Sequence, residues 1–135
     1  METERKEILT SGVLKERKLR VYIAGPITLG DRTLNLRAAI LAGDAVFKAG
    51  HLPYIPHLND IWHLVCPHPA EEWYKMDEPW LALCEVVVRL PGESVGADRE
   101  CFLARRLGIP VVSLEHFLER FGRREINEGP ETPAA

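Results

Sequence analysis

Glu100 is an acidic residue on a helical face that is otherwise apolar. The segment 96–107 has helical spacing, and its inward side holds Glu100, Leu103, Ala104 and Leu107 at offsets of three, four and seven. A carboxylate that faces a core usually needs a partner or a chemical role, because burying an unpaired charge is costly. The structural alternative is that Glu100 only complements the positive end of its helix. The pattern makes Glu100 a candidate nucleophile or acid–base group.

Asp77 repeats this pattern earlier in the chain. Asp77, Trp80, Leu81 and Cys84 share one helical face, again at offsets of three, four and seven. A structural interpretation competes here, because an aspartate before Glu-Pro is a good N-cap if Pro79 lies in the first turn of a new helix. Capping does not exclude catalysis, so Asp77 is the second candidate.

Ser94 and Gly96 precede the helix that contains Glu100. A hydroxyl group, a glycine and free backbone N–H groups at a helix start favour an anion site. Ser-x-Gly also describes many ordinary turns. The sequence contains no GxxxxGK[ST] motif, and its glycines are too few for a dinucleotide-binding fingerprint.

Strands and helices alternate along the chain and must position these groups. The predicted strands cover residues 19–24, 51–55, 85–90 and 109–114. The predicted helices cover residues 36–50, 71–84, 96–107 and 116–121, with the second divided at Pro79. The stretch between residues 56 and 70 has no clear pattern. Short strands that are apolar on both faces predict an α/β, Rossmann-like or flavodoxin-like three-layer sandwich with a parallel sheet of four or five strands.

The carboxyl ends of parallel strands are where such folds bind ligands, at the point where the strand order reverses. Three segments are expected on this edge. They are Gly25, Pro26, Ile27 and Thr28 after the first strand, Pro56 and His57 after the second, and residues 91–96 after the third.

The composition favours one globular domain in a reducing compartment. The 135 residues are 46% hydrophobic and 27% charged, and the formal charge of −3 gives no electrostatic case for binding a nucleic acid. Three cysteines without CxxC spacing favour the cytoplasm, and no apolar run is long enough for a membrane span. We predict a flexible lead-in at 1–18, a single domain at 19–122 and a disordered tail at 123–135.

Several segments resemble the nucleoside 2-deoxyribosyltransferase superfamily. The similar segments are VYIAGP at 21–26, Asn35, Ala49-Gly50, an Asp-x-x-x-Leu segment at 77–81, and CEVVVRLPGESVGADRECFLARRLGIPVV at 84–112. The resemblance spans roughly residues 19–114 and is greatest for a branch of small bacterial and phage proteins. The 2′-deoxynucleoside 5′-phosphate N-hydrolases are more distantly similar.

The resemblance implies cleavage of the N-glycosidic bond between a base and a ribose or deoxyribose, by hydrolysis or by deoxyribosyl transfer, without a cofactor. It implies that Glu100 is the nucleophile, that Tyr22 orients it, and that Asp77 delivers a proton to the base or holds the sugar. It also implies a homo-oligomer. The substrate-binding residues that we predict are Gly25, Pro26, Ile27, Asn35, His57, Ser94 and Gly96.

Other interpretations remain open at this point. A nucleotide-binding or sensory module would keep the edge loops and Ser94 without turnover. The spacing of His57, His63, Cys66 and His68 is loosely compatible with zinc, but prolines stiffen this stretch and we predict no metal site.

The tryptophans and cysteines are expected to serve mainly as apolar groups. Trp62 and Trp73 either pack in the core, which we favour, or stack on a base. The three cysteines, Cys66, Cys84 and Cys101, are expected to be small buried residues and not nucleophiles.

Overall fold

The computed structural model describes residues 17–122, in which four strands and five α-helices follow one another. The strands are β1 (Arg20–Ala24), β2 (Leu52–Tyr54), β3 (Val86–Arg89) and β4 (Val111–Val112). The helices are α1 (Arg32–Lys48), α2 (Asn59–Val65), α3 (Ala70–Ala82), α4 (Val95–Arg106) and α5 (Leu114–Phe121), and a 3₁₀ helix (Pro56–Leu58) precedes α2. The predicted tail and residues 1–16 of the predicted lead-in lie outside the described residues.

The four strands form one parallel sheet in the order β2-β1-β3-β4. Tyr22 in β1 is central, because its register partners are Tyr54 in β2 and Val87 in β3. The chain order reverses between β1 and β3, where a parallel sheet opens a crevice at its carboxyl edge. The predicted α/β three-layer sandwich is confirmed.

Helices cover both faces of the sheet because alternate strand residues are apolar on each side. The core on one face contains Leu19, Val21, Ile23, Val86, Val88 and Leu90 from the sheet side, with Ala39, Ala42 and Val46 of α1 and Phe117 and Phe121 of α5. The core on the other face contains Tyr22, Ala24 and Val87 with Leu81, Cys84, Ala97, Cys101, Ala104 and Ile109. Glu100 in α4 therefore belongs to the face that Tyr22 occupies.

Two local predictions were wrong. The stretch after β2 is mostly helical and forms the 3₁₀ helix and α2. Apolar residues are exposed on these helices, so their spacing does not show the pattern of one buried helical face. Pro79 lies within α3 and does not start a new helix. Its ring removes the hydrogen bond to the Lys75 carbonyl, but both residues are exposed, so water can solvate that carbonyl and the helix continues. Asp77 is consequently a mid-helix residue and not an N-cap.

His51 joins the start of the sheet to the last helix. Its Nδ1 accepts the Leu19 backbone N–H at 3.0 Å, and its Nε2 donates to the Phe121 carbonyl at 2.8 Å. The ring is 3% exposed and packs edge-on against Phe117. His51 therefore satisfies two buried backbone groups, one at the start of the sheet and one at the end of α5.

Replacing His51 with alanine is expected to lower the free energy of unfolding by about 2–4 kcal/mol, because it leaves two backbone groups unpaired and opens a cavity. Denaturant titration measures this change. The matched control is His116→Ala on exposed α5 surface, which is expected to change stability by less than about 0.5 kcal/mol. Equal effects of the two variants would contradict the role given to His51.

None of the helices described within residues 17–122 combines the length and the apolar character that crossing a membrane requires.

Candidate active site

A cavity of about 650 Å³ opens at the carboxyl edge of the sheet, beside the β1–β3 reversal. Its size suits a small-molecule ligand. All three predicted edge segments contribute to its wall, through Gly25, Ile27 and Thr28, through Pro56 and His57, and through Ser94, Val95 and Gly96. Helices α2 and α3 complete the wall, and Asp77 and Glu100 both face the same space.

Glu100 lies in the second turn of α4, on the buried side of the helix. Ser94 fixes where this helix begins, because its Oγ accepts the Ala97 N–H at 3.0 Å. Ala97, Cys101 and Ala104 pack on the sheet and turn Glu100 inward, where it is 8% exposed. The predicted inward stripe is correct for Glu100 and Ala104, whereas Leu107 is exposed at the helix end.

Tyr22 holds the Glu100 carboxylate from behind. The Tyr22 hydroxyl donates to Glu100 Oε2, and the tyrosine is fully buried in the middle of the sheet. Burial, with the nearby charge of Glu100, raises the pKa of Tyr22 far above its ordinary value, so the phenol remains a donor. Tyr22 does not line the cavity. From its position it can orient Glu100 but cannot contact a ligand in the cavity.

Burial also changes the acidity of Glu100 itself. Loss of hydration raises the pKa of Glu100 to about 7, and the charge of Asp77 adds to the shift, whereas the Tyr22 hydrogen bond opposes it. A carboxyl group with a pKa near neutrality can exchange its proton at physiological pH, as acid–base and nucleophilic groups in enzymes do. A glutamate that only complemented the positive end of its helix would not need to be buried as Glu100 is.

Asp77 projects from α3 into the same cavity and is 6% exposed. Its Oδ1 accepts the Tyr54 hydroxyl at 2.9 Å and the Asn59 side-chain amide at 3.0 Å. Burial raises the pKa of Asp77, and the two hydrogen bonds act in the opposite direction. The two carboxyl groups thus share a cavity but differ in their hydrogen-bond donors.

Gly96 lies where another side chain would collide with a neighbouring helix. A Cβ atom at this position would lie 2.5 Å from the hydroxyl oxygen of Tyr74, which packs on the first turn of α4. Arg99 lies over the same ring, with its guanidinium carbon 4.6 Å from the ring centre, and it pairs with Glu71 and Glu78. These contacts join α3 to α4 and so fix the relative position of the two carboxylates.

The loop between β1 and α1 is held by hydrogen bonds from His57, which lines the cavity, and from Asn35, which does not. His57 is buried, and its Nε2 donates to the Pro26 carbonyl at 3.2 Å. The Asn35 amide donates to the carbonyls of Ile27 and Leu29, at 3.0 and 2.7 Å. Pro26 and Asn35 are not among the residues that line the cavity, and their role as substrate contacts stays a prediction. We assign both to the shape of this loop.

The rings of His63 in α2, His68 in the following loop and Trp73 in α3 form one side of the cavity, which we call the aromatic wall. Trp73 is its centre, and His68 is edge-on to it at a centroid distance of 5.3 Å. Trp62 does not line the cavity but packs edge-on against Trp73, at 5.0 Å. His63 Nδ1 accepts both the Trp73 indole N–H and the His68 backbone N–H, each at 3.1 Å, so its proton is on Nε2. The expected core location is wrong for Trp62, which is about half exposed, and Trp73 is half-buried against the cavity.

Sequence reasoning missed several residues of the site. Tyr54 and Asn59 orient Asp77, and Arg32 pairs with Asp60 across the cavity mouth through a bidentate contact. Tyr54 ends β2 at the same sheet edge as His57, so the edge argument could have found it. The sequence does not show which sides of α2 and α3 face the cavity, so it could not identify Asn59, Asp60 and Tyr74.

The three cysteines differ in their burial. Cys84 and Cys101 are buried as expected, but Cys66 is exposed. Within residues 17–122, no three histidine, cysteine, aspartate or glutamate side chains come together as a metal-binding group.

The fold and site define a class of α/β protein with a carboxylate pair at the switch point of a parallel sheet. Residues 19–113 match the family described as "Domain of unknown function (DUF4406)". The match covers more than half of the chain, so this protein belongs to the DUF4406 family. No curated protein matches the sequence.

Proposed function

We propose that this protein cleaves the N-glycosidic bond of a nucleoside or nucleoside 5′-monophosphate, with Glu100 as the nucleophile. The observation on which the proposal rests is a buried Glu100 carboxyl group that faces a ligand-sized cavity, receives the Tyr22 hydroxyl and shares the cavity with Asp77. The resemblance to the nucleoside 2-deoxyribosyltransferase superfamily at Tyr22, Asp77 and Glu100 supports the same assignment.

The chemistry needs two carboxyl groups with different tasks. A Glu100 carboxylate oxygen attacks C1′ of the sugar, the C1′–N bond breaks, and its electron pair goes to the base. Asp77 gives its proton to the departing base nitrogen. Water, or a second base, then attacks C1′, its proton returns to Asp77, and the Glu100 carboxylate is released.

The first turn of α4 suits the 5′ end of such a substrate. Ser94 accepts an N–H through its oxygen, so its hydroxyl hydrogen is available to a ligand. Val95 and Gly96 line the cavity, and their N–H groups lie in the first helical turn, where no intrahelical acceptor exists. This arrangement favours a 5′-phosphate over a bare hydroxyl group.

The test is release of free base from a panel of nucleosides and their 5′-monophosphates, supplied as matched pairs. We expect base release from at least one pair, with the monophosphate preferred. Measurable nucleotide binding with no base release from any compound would overturn the catalytic proposal in favour of a non-catalytic nucleotide-binding module.

The aromatic wall is the surface on which we expect the base to stack. Replacing Trp73 with alanine is expected to raise KM by about 5- to 100-fold, because stacking of a base on an aromatic ring contributes about 1–3 kcal/mol. Steady-state kinetics measure the effect. Trp73→Phe keeps a ring and is expected to lose less. A Trp73→Ala variant with unchanged KM would contradict this role.

A further inference from the structure

We infer that Tyr54 and Asn59 are positioning residues that reserve Asp77 Oδ1 as a hydrogen-bond acceptor and leave Oδ2 to transfer the proton. The inference rests on the proposed function, in which Asp77 protonates the leaving base. It goes further because it specifies which oxygen acts and which residues select it.

The two donors reach Asp77 from different elements. Tyr54 ends β2 and Asn59 begins α2, and both donate to Oδ1, at 2.9 and 3.0 Å. The Tyr54 ring is fixed by stacking between Tyr22 and Trp80, at centroid distances of 5.4 and 6.0 Å. Burial and the hydrogen bond to Asp77 raise the pKa of Tyr54, so its hydroxyl stays protonated and donates to Asp77.

An oxygen that accepts two hydrogen bonds is a poor place for a proton. Both lone-pair directions of Oδ1 are occupied by donors, so protonation there would break at least one of the bonds. No hydrogen-bond donor among residues 17–122 is found at Oδ2, and Asp77 keeps a small exposed area towards the cavity. A proton held by Asp77 therefore resides on Oδ2, the oxygen that a ligand can reach.

The same donors set the pH range in which Asp77 can act. Besides Tyr54, the titratable groups near Asp77 are Tyr22, Tyr74 and Glu100, and the charge of Asp77 raises the pKa of each of them. Glu100 and Asp77 interact, so their two apparent pKa values belong to the pair. Base release requires one proton on the pair, which leaves one carboxylate to attack and one acid to donate.

The wild-type pH profile of kcat/KM is accordingly expected to be bell-shaped. At low pH both carboxyl groups are protonated and no nucleophile exists. At high pH the pair has lost its last proton, and the value of about 7 for Glu100 sets this alkaline limb near neutrality. The acid limb then reports the first ionisation of the pair, which the Tyr54 and Asn59 hydrogen bonds favour at Asp77. The remaining proton is shared between the two carboxyl groups, and the reactive form is the one in which Asp77 Oδ2 holds it and Glu100 is ionised.

Replacing Tyr54 with phenylalanine tests the inference, because it keeps the stacked ring and removes only the donor. Ionised Asp77 loses one of its two hydrogen bonds, so its pKa rises and the acid limb is expected to move to higher pH by about one unit. Asn59→Ala is expected to move the limb in the same direction. A structural role alone would lower the rate without moving the limb.

Trp80→Phe is the matched control. It disturbs the same ring stack and leaves the Tyr54 hydroxyl in place, so the limb is expected to stay where it is. An acid limb that does not move in either Tyr54→Phe or Asn59→Ala would overturn the inference, as would an equal shift in Trp80→Phe.

A titration of the Asp77 carboxyl carbon by NMR separates this inference from the proposed function. We expect the Asp77 pKa to be higher in Tyr54→Phe than in the wild type. If the wild type releases no base, the proposed function fails, and with it the assignment of proton transfer to Oδ2, even where the titration shows the shift. If the wild type releases base and the Asp77 pKa is the same in both proteins, only the role of Tyr54 fails.

Discussion

Replacing Glu100 with glutamine is expected to reduce base release by about 10⁴-fold or more, because the amide cannot form the bond to C1′. The Tyr22 hydroxyl can still donate to the amide oxygen, so the local packing is retained. The measurement is kcat/KM on the best substrate of the panel. Glu93→Gln is the matched control, since Glu93 is exposed on the loop before the same helix and is expected to keep wild-type activity.

The same variant is expected to be more stable than the wild type at pH 8. The folded-state pKa of Glu100, about 7, lies above its ordinary value of 4.5, so the folded state binds the proton more tightly than the unfolded state does. Wild-type stability therefore falls as the pH rises from 4.5 through 7, by up to about 3 kcal/mol. Glutamine has no charge to bury, so the stability of the Glu100→Gln variant does not fall in this way as the pH rises. An inactive variant that is also less stable at pH 8 would contradict the account.

Replacing Asp77 with asparagine is expected to lower kcat/KM by about 10²- to 10⁴-fold, the usual contribution of a general acid. Asparagine can accept from Tyr54 and Asn59 through its oxygen, but it cannot deliver a proton to the base. The alkaline limb of the pH profile is expected to disappear, because it reports loss of the proton that the pair supplies. Steady-state kinetics between pH 5 and 9 measure both effects.

The choice of leaving base provides the control for this variant. A purine nucleoside that is methylated on N7 already has a positive charge on its base, so the base departs without protonation. The Asp77→Asn variant is expected to cleave such a substrate at close to the wild-type rate. A loss as large as that on the ordinary nucleoside would show that Asp77 does not act as the acid.

The sheet and the main catalytic candidates could be predicted from the sequence because their signals are local. Short strands that are apolar on both faces predict a parallel sheet, and strand ends then predict the binding edge. Glu100 stood out because it interrupts an apolar helical face. Tyr22 and Asp77 came from the resemblance and from the same spacing argument, and all three meet at or behind one cavity wall.

The environment of Asp77 could not be predicted, because it depends on contacts between distant segments. Proline usually breaks a helix, so Pro79 suggested an N-cap at Asp77, but the exposed position of Pro79 allows α3 to continue. Tyr54 and Asn59 reach Asp77 across 23 and 18 residues of sequence, and no spacing rule connects them. The hydrogen bonds by which Asn35 shapes the β1–α1 loop could not be predicted either, because loop-shaping and ligand-binding amides look alike in a sequence.

A covalent link between the sugar and Glu100 would be the most direct sign that this side chain attacks the anomeric carbon. Protein mixed with its best substrate can be quenched in acid within the first turnovers, digested and analysed by peptide mass. We expect a pentosyl group, with its phosphate if the substrate has one, on the peptide that contains Glu100, and none in Glu100→Gln. A sugar attached to a different residue, or undiminished base release by Glu100→Gln, would contradict the mechanism.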